Sequence, residues 1–184
     1  IKNLLKEYEK KDSRIRVVYN EKQLRISDNT NAAIGIATGN YITFSDHDDT
    51  LAEEALYQMA AEIESHPEAE LLYSDEDIID IKGKRLYPHF KPDFNPDYLH
   101  CVNYICHLVV VKRTLLDKVG LLQGEYDGSQ DYDFLLRCIE KTDRVHHIPK
   151  VLYHWRVSDT STAGNQDSKT YAIDAGKLAL TDHY

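Results

Sequence analysis

Long hydrophobic runs, cysteines and positive charge are all scarce in this sequence, and each shortage argues against a class of protein. No apolar run approaches the roughly 20 residues that a membrane-spanning helix requires. The 22 lysines and arginines are outnumbered by 31 aspartates and glutamates, which leaves a net charge of −9. This balance argues against a general nucleic-acid-binding protein, because a phosphate backbone requires clustered lysine and arginine side chains.

The three cysteines, Cys101, Cys106 and Cys138, are odd in number and lack the spacing of metal ligands. They predict reduced thiols, as in a cytosolic protein, rather than a disulfide framework or a zinc site. The sequence also has no glycine-rich phosphate loop of the dinucleotide or P-loop kind, and no hydrolase or cysteine-nucleophile motif. The chemistry must therefore be sought in other side chains.

What is present is an alternation of helical and extended patterns, in a chain whose 184 residues suffice for one domain with a sizeable core. Apolar spacing predicts helices over residues 1–10, 29–38, 51–65, 114–119 and 130–141 and from residue 168. Apolar, β-branched and aromatic runs predict strands at 15–19, 41–45, 70–74, 105–112, 145–148 and 151–155, and a hairpin over 78–87. The segments predicted as irregular are the loop 88–97 and the polar, mobile stretch 158–166. This alternation is typical of a layered α/β sheet.

Three carboxylates, those of Asp46, Asp48 and Asp49, directly follow the predicted strand at 41–45. They are expected just beyond its carboxyl end, where open α/β sheets bind ligands. Clustered anionic oxygens repel each other unless a cation lies between them, so a divalent cation carrying a diphosphate is their natural partner. The alternative is that they only favour the N-terminus of the next helix, which explains one or two of the three acids.

A second acidic cluster, at residues 75–77 with Asp80 beyond it, also follows a predicted strand. Spacing alone does not rank the two clusters. The second one leads into a hairpin rather than a helix. We therefore interpret it as a structural element or as part of the rim of a site.

Asp131 is the candidate general base. Ser129 is predicted to cap the helix over 130–141, which puts Asp131 in the first turn. The helix dipole favours an ionised carboxylate there, and a base must be unprotonated to accept a proton. The alternative is that Asp131 is a simple acidic cap.

His154 and Arg156 lie in the last predicted strand. A single histidine in an apolar strand is more often a core residue than a ligand. Arg156 is able either to contact a phosphate or to pair with one of the many acids.

In their order and in their residues, these segments resemble the family 2 glycosyltransferases, which have the GT-A fold. The matching segments are Asn31-Ala32-Ala33, Thr38-Gly39-Asn40-Tyr41-Ile42, Ser45-Asp46-His47-Asp48-Asp49, Tyr73-Ser74-Asp75-Glu76-Asp77, Phe90-Lys91-Pro92-Asp93, Asn103-Tyr104, Gly128-Ser129-Gln130-Asp131-Tyr132-Asp133 with Leu136-Arg137, and Tyr153-His154-Trp155-Arg156. Each is unspecific alone, but their shared order is specific. The resemblance implies an α/β fold with a GT-A (Rossmann-like) mixed sheet flanked by helices, and a single catalytic domain over residues 1–184.

The resemblance also implies roles for the acids. Asp46-His47-Asp48 looks like the D-x-D motif, so Asp48 is expected to bind Mn²⁺ or Mg²⁺ and Asp46 to lie nearer the ribose of the nucleotide. His154 falls where related enzymes often place a second metal contact. Asp131 matches the base that deprotonates the acceptor hydroxyl, in a single displacement with inversion at the anomeric carbon.

The expected ligands follow from the same resemblance. The donor is a nucleotide-diphosphate sugar, with a UDP-sugar expected first, and Asn31 and Arg156 are assigned to its side of the site. The acceptor is a glycan, a lipid-linked sugar or another hydroxyl compound of cell-surface polysaccharide synthesis, and Asn103, Tyr104 and Gln130 are assigned to it. A cytoplasmic location at the inner membrane face is expected, with no nucleic-acid partner.

The sequence departs from the family pattern at its N-terminus. Family members begin with a strand ending in a Pro-x-Tyr-Asn-like segment and a second strand ending in Asp-Asp-Gly-Ser, which hold the base and ribose, and neither occurs here. We expect the chain to lack these two strands and to be nearly inactive alone, within an active parent transferase. The alternatives are a non-catalytic nucleotide- or carbohydrate-binding fragment of a larger synthase, and a metal-dependent nucleotidyltransferase or phosphohydrolase.

Overall fold

A computed structural model of the chain describes residues 1–157 and 166–184. The helices are α1 (Lys2–Lys11), α2 (Ile26–Ile36), α3 (Ala55–Ser65), α4 (Pro96–Leu99), α5 (Arg113–Val119), α6 (Gln130–Ile139) and α7 (Gln166–His183), with a 3₁₀ turn at Gly124–Tyr126. The strands are β1 (Tyr41–Thr43), β2 (Thr50–Leu51), β3 (Leu71–Ile79), β4 (Arg85–His89), β5 (Val109–Lys112) and β6 (Val145–Arg156).

The strands form one mixed sheet in the order β1-β5-β3-β6-β2, with β4 also paired to β3. The nine-residue strand β3 is the middle strand in this order. Its first part pairs antiparallel with β5 and its second part antiparallel with β4, while β6 pairs with it in parallel throughout. The carboxyl ends of β3 and β6 therefore lie together at one end of the sheet, and β2 joins them there through the pairing of Leu51 with Tyr153.

The sheet separates two hydrophobic cores because successive strand residues point to opposite faces. Leu71 and Tyr73 belong to the core that includes residues of α5 and α6, whereas Leu72 between them belongs to the core that includes residues of α3. Both cores include fully buried side chains. The predicted α/β class, a mixed sheet flanked by helices, is thus confirmed.

Two local predictions are wrong. Residues 15–19 are not a strand, although their apolar alternation favours one. The capping pattern after Thr50 does not begin a helix either. Thr50 and Leu51 instead pair with β6, the Ala52 N–H donates to the Leu152 carbonyl at 3.0 Å, and α3 begins at Ala55. At Thr50 and Leu51, pairing with β6 has overridden the local helix signal.

Other predictions differ only in extent. The two short strands predicted around Pro149 form the single strand β6, whose register against β3 is irregular between Ser74 and Glu76. The predicted hairpin is confirmed by the pairing of Ile78 with Leu86. The segment 158–165, predicted as mobile, lies outside the described residues. Across the described part, no helix combines the length and the apolar character needed to cross a membrane.

Candidate active site

The loop between β1 and β2, which we call the acid loop, carries Asp46, Asp48 and Asp49. Residues of β6 hold it in place. The Asp46 N–H donates to the Tyr153 hydroxyl at 3.1 Å, and that hydroxyl donates to Asp49 Oδ2 at 2.5 Å. The other Asp49 oxygen accepts from the Arg156 N–H at 2.7 Å. Arg156 Nε donates to the Asp48 carbonyl at 2.6 Å. Asp49 is therefore a structural acid that fixes the loop.

The carboxylates of Asp46 and Asp48 have few contacts within the protein. Among residues 1–157 and 170–184, neither accepts a hydrogen bond, and His47 Nδ1 lies 3.9 Å from Asp48 Oδ1. Partial burial raises the pKa of Asp46, and the positive charge of His107 opposes this rise. The negative charges of Asp49, Asp48 and Asp131 raise the pKa further. Such a site carries more negative charge than the protein neutralises. Two unengaged carboxylates of this kind fit a hard divalent cation such as Mn²⁺ or Mg²⁺.

Asp131 lies near Asp46, and we refer to the region around these two acids as the cleft. Its charge contributes to the raised pKa of Asp46, after the larger effects of burial and neighbouring groups. The elements that carry the two acids also touch: Phe44, two residues before Asp46, packs edge-on against Phe134 of α6 with ring centroids 5.8 Å apart. The fold thus places the predicted base near Asp46, the acid that the family resemblance assigns to the nucleotide.

Asn103 positions the carboxylate of Asp131. Its Nδ2 donates to Asp131 Oδ2 at 2.8 Å. Its Oδ1 is buried and has no hydrogen-bond partner among the described residues. A buried amide oxygen without a partner is costly unless a ligand or water satisfies it, so this atom marks a place where a donor group such as a sugar hydroxyl would be stabilised.

The loop that leads into α6 is held by hydrogen bonds and by the close packing of its backbone against an aromatic ring of α7. The Ser27 N–H and hydroxyl both donate to Asp127 Oδ1, at 3.0 and 2.6 Å. Gly128 has φ +103°, and an added Cβ would lie 2.3 Å from the Tyr171 ring of α7. Ser129 is the N-cap residue as predicted, but its hydroxyl donates to the Ala172 carbonyl at 2.7 Å instead of accepting from the helix. These contacts fix where α6 begins and therefore where Asp131 lies.

Several predicted site residues have their polar atoms engaged within the protein. Asn31 exchanges two hydrogen bonds with the Leu122 backbone, at 2.8 and 3.0 Å. Gln130 Oε1 accepts from the Gly128 N–H at 2.8 Å. Tyr104 is 1% exposed and its hydroxyl accepts from the Asn95 N–H at 2.8 Å. Asn31 and Gln130 support the loop, and Tyr104 is a core residue.

His154 lies in β6 next to Tyr153, and its imidazole is engaged by an acid of β3. Its Nδ1 lies 2.6 Å from Asp77 Oδ1, and Asp77 Oδ2 accepts from Arg85 Nε at 2.5 Å. The expected role of His154 as a metal ligand stays a prediction.

Glu76 and His107 are site residues that sequence reasoning missed. The His107 N–H donates to Glu76 Oε2 at 2.6 Å, its Nδ1 lies 3.5 Å from the same oxygen, and its ring stacks on that of Tyr153 with centroids 4.7 Å apart. Buried Lys91 supports the pair, with Nζ 3.6 Å from Glu76 Oε2 and hydrogen-bonded to the Ile105 carbonyl at 2.9 Å.

The surroundings of His107 favour its protonated form. Burial lowers the pKa of His107, but Cys106 and the Glu76 carboxylate together raise it above its ordinary value. Burial also raises the pKa of Cys106 to about 11, so Cys106 is a neutral thiol near pH 7 and Glu76 supplies the stabilising charge. Burial opposes ionisation of Glu76 too, yet His107 and Lys91 hold its pKa below the ordinary value. The effect of His107 on Asp46 shows that its charge reaches the acids.

The one sequence signal for this pair was the acidic cluster at 75–77, which we interpreted as a structural element or as part of the rim of a site. That interpretation holds for Asp75 and Asp77, which bond to protein groups on either side of Glu76. Glu76 and His107 are 31 residues apart in the chain, so no local sequence pattern indicates that they are in contact.

The fold has solved counterparts. TarS of S. aureus superposes with a TM-score of 0.70 at 18% identity, over 98% of this chain and 31% of TarS. Residues 1–349 of TarS in complex with UDP give a TM-score of 0.68 at 19% identity, over 96% of this chain and 51% of that one. The mixed, helix-flanked sheet is the GT-A fold.

Sequence comparison then identifies the family. Residues 1–120 match the family described as glycosyl transferase family 2, and the chain belongs to this family of glycosyltransferases. The O-antigen biosynthesis protein RfbC of Myxococcus xanthus is 37% identical over 180 residues, which are 98% of this chain and 14% of RfbC. An uncharacterized protein of Sinorhizobium fredii is 45% identical over 182 residues, 98% of this chain and 20% of that protein. The chain thus spans a fifth or less of these relatives.

Proposed function

We propose that this chain carries the catalytic groups of an inverting, metal-dependent glycosyltransferase. It moves a sugar from a nucleotide-diphosphate sugar, with a UDP-sugar as the first donor to test, to a hydroxyl of a saccharide acceptor. The observation that carries the proposal is one cleft with two unengaged carboxylates, Asp46 and Asp48, near a third, Asp131, at the start of a helix. The UDP complex of TarS and the O-antigen role in the name of RfbC support the donor class and a place in cell-surface polysaccharide synthesis.

Asp46 and Asp48 are the residues that would hold Mn²⁺ or Mg²⁺. When bound, such an ion neutralises the diphosphate and stabilises it as a leaving group. Asp49, Tyr153 and Arg156 fix the backbone of the acid loop so that the two free carboxylates stay in place.

Asp131 is the proposed general base, and Asn103 orients it. The hydrogen bond from Asn103 holds one carboxylate oxygen, which leaves the other to take the proton of the acceptor hydroxyl. Attack by that hydroxyl on the anomeric carbon, opposite the diphosphate, breaks the bond to the leaving oxygen in one displacement and inverts the configuration. The buried Asn103 Oδ1 is a hydrogen-bond acceptor for a second donor group of the sugar.

His107 and Arg156 supply positive charge on the donor side. The His107 imidazolium, stabilised by Glu76, is near Asp46, and the Arg156 guanidinium contacts the acid loop through the Asp48 carbonyl. Fixed cations of this kind stabilise charge that develops on a departing diphosphate. We propose both as diphosphate contacts.

The test separates chemistry from binding. Asp131→Asn is expected to reduce sugar transfer by at least about 100-fold while Mn²⁺-dependent UDP binding, measured by calorimetry, is retained. Asp48→Asn is expected to lose both. Asp28→Asn removes an exposed acid from the first turn of α2 and is the matched control for Asp131. Loss of transfer and binding together in Asp131→Asn would favour a structural role for that residue.

The same assays address the extent of the domain. Transfer and UDP binding are compared between residues 1–184 and a longer polypeptide that adds the two base-binding strands of the family. We expect much stronger UDP binding and transfer in the longer form. Equal activity in both would refute this part of the proposal, and UDP binding without transfer in both would favour the non-catalytic alternative.

A further inference from the structure

A cluster of two histidines and two glutamates lies where α3 ends and β6 begins. Glu62 is in the last part of α3, His66 follows that helix directly, and His146 is the second residue of β6. Glu62 Oε1 lies 3.6 Å from His66 Nε2 and 3.5 Å from His146 Nδ1. The potential ligand atoms of these three residues all lie within 4.8 Å of one another.

A second carboxylate faces the opposite nitrogens of both rings. Glu68 Oε1 lies 3.4 Å from His66 Nδ1 and 3.8 Å from His146 Nε2. The imidazole rings lie side by side between the two glutamates, with centroids 4.6 Å apart. Histidines that bind a metal characteristically direct the second ring nitrogen to a carboxylate, which fixes the tautomer and the ring orientation. The position of Glu68 is therefore an observation independent of the Glu62 contacts.

The backbone at this site is already ordered by regular structure. The His66 N–H donates to the Glu62 carbonyl at 2.8 Å, and the Ala69 N–H donates to the His66 carbonyl at 2.9 Å. His146 is held in the sheet by its pairing with Leu72. The side chains of Glu62, His66 and His146 are 27%, 45% and 24% exposed, so an ion can enter from solvent.

The cluster is separate from the candidate active site. Leu72, the partner of His146, precedes Glu76 of the cleft by four residues of β3, a separation of about 13 Å along an extended strand. The ligand chemistry differs as well. Two imidazoles and one carboxylate suit Zn²⁺ and its neighbours in the transition series, whereas oxygen-only sets suit Mg²⁺ and Mn²⁺.

We propose that Glu62, His66 and His146 bind one transition-metal ion of the Zn²⁺ class, with Glu68 orienting both imidazoles and water completing the coordination. The ion would join the end of α3 to the start of β6 and so stabilise the packing of this helix on the sheet. Binding requires neutral imidazoles, whereas the competing arrangement, in which the glutamates simply pair with protonated histidines, is favoured at low pH.

The test titrates the chain with Zn²⁺ and, as a spectroscopic probe, Co²⁺, in excess Mg²⁺ to occupy the acids of the cleft. We expect one tight equivalent at pH 7.5, visible Co²⁺ bands of nitrogen–oxygen coordination, a higher Tm with Zn²⁺, and binding that weakens as the pH is lowered, because protons compete with the metal for the ligands. The double variant His66→Gln, His146→Gln is expected to lose this equivalent, the bands and the Tm increase. Glu68→Gln is expected to bind about 10–100-fold more weakly.

Three controls make the outcome decisive. Glu64→Gln changes an exposed acid of the same helix, and His100→Gln disrupts a different histidine pair, His100 with His183; both are expected to bind like the unchanged chain. Circular dichroism and Tm in EDTA check folding, and Glu62→Gln replaces the double variant if the latter is unfolded. Absence of a tight equivalent, its survival in the ligand variants, or its loss in His100→Gln would each overturn the proposal.

Discussion

The side-chain amide of Asn103 donates to the carboxylate of Asp131, with Nδ2 2.8 Å from Oδ2. The two residues are 28 positions apart in sequence and come from different elements, the loop after α4 and the first turn of α6. The bond fixes which oxygen of Asp131 remains available to an acceptor hydroxyl. Asn103, assigned to the acceptor from the sequence, is therefore also a positioning residue for the proposed base.

Replacing Asn103 with leucine, which has a similar shape but no polar atoms, tests this relationship. We expect kcat to fall by about 10–100-fold, as when partners that orient a reactive group are removed. Mn²⁺-dependent UDP affinity is expected to stay unchanged, because Asn103 forms no hydrogen bond to the acid loop in the described part of the chain. Steady-state kinetics and calorimetry on the longer polypeptide proposed above provide both values. An increase in the donor KM without a change in kcat would assign Asn103 to binding alone.

Asp48 and Asp49 are adjacent in sequence but are expected to respond differently to the same change. Asp49→Asn places an amide group opposite one of its two donors, the Tyr153 hydroxyl or the Arg156 N–H. An unsatisfied partly buried group costs about 1–2 kcal/mol, so Tm in EDTA should fall by roughly 2–8 °C for a domain of this size. Asp48→Asn should leave Tm in EDTA unchanged and abolish Mn²⁺-dependent UDP binding. The reverse pattern would exchange the roles assigned to the two acids.

The alternating pattern of the chain was sufficient to predict the α/β class and the position of the acid loop. Periodicity indicates which faces of a segment are apolar. In β3 both faces are apolar, and the adjacent residues Leu71 and Leu72 belong to different cores. Periodicity does not indicate which strands pair. The strand at Thr50 and Leu51 exists only because β6 lies beside it, and no local pattern contains that information.

The same limit applies to the site. Asp46, Asp48 and Asp131 were proposed as site residues because each follows a strand end or begins a helix, which are features of local sequence. Asn31 and Gln130 were assigned to ligands, but the fold uses their side chains to hold the loop before α6. The partner of Glu76 is set by the long-range packing of β3 against the segment before β5.

Removing the carboxylate of Glu76 should make donor binding depend on pH. In the unchanged protein the pKa of His107 is raised, with burial opposed by Cys106 and Glu76, so His107 stays charged across neutral pH. In Glu76→Gln the remaining effect of burial favours the neutral ring, so UDP affinity should weaken as pH rises above about 6.5. Calorimetry between pH 6 and 8.5 and the ring resonances of His107 measure this. A flat profile in Glu76→Gln would exclude His107 as a diphosphate contact.

The same pair gives a stability prediction with a definite sign. The pKa of His107 is raised, so its contribution is fully present below its ordinary value of 6.5 and is lost as pH rises through the folded value. The pKa of Glu76 is lowered, so its contribution is present above its ordinary value of 4.5 and is lost as pH falls through the folded value. The destabilisation by Glu76→Gln should therefore be largest between these values and decline toward alkaline pH, as measured by urea unfolding.

Lys91 offers the strongest test of the buried polar network, because its side chain is fully buried. Its ammonium donates to the carbonyls of Ile105 and His107 and lies beside Glu76. Lys91→Met keeps the aliphatic volume but leaves these acceptors and the Glu76 charge without their partner, and removing one member of a buried ion pair costs about 3–5 kcal/mol. Tm should fall by roughly 6–20 °C for a domain of this size. Lys84→Met, at an exposed hairpin position, should change stability by less than about 0.5 kcal/mol. Similar Tm values for the two variants would show that the Lys91 ammonium does not support Glu76 and His107.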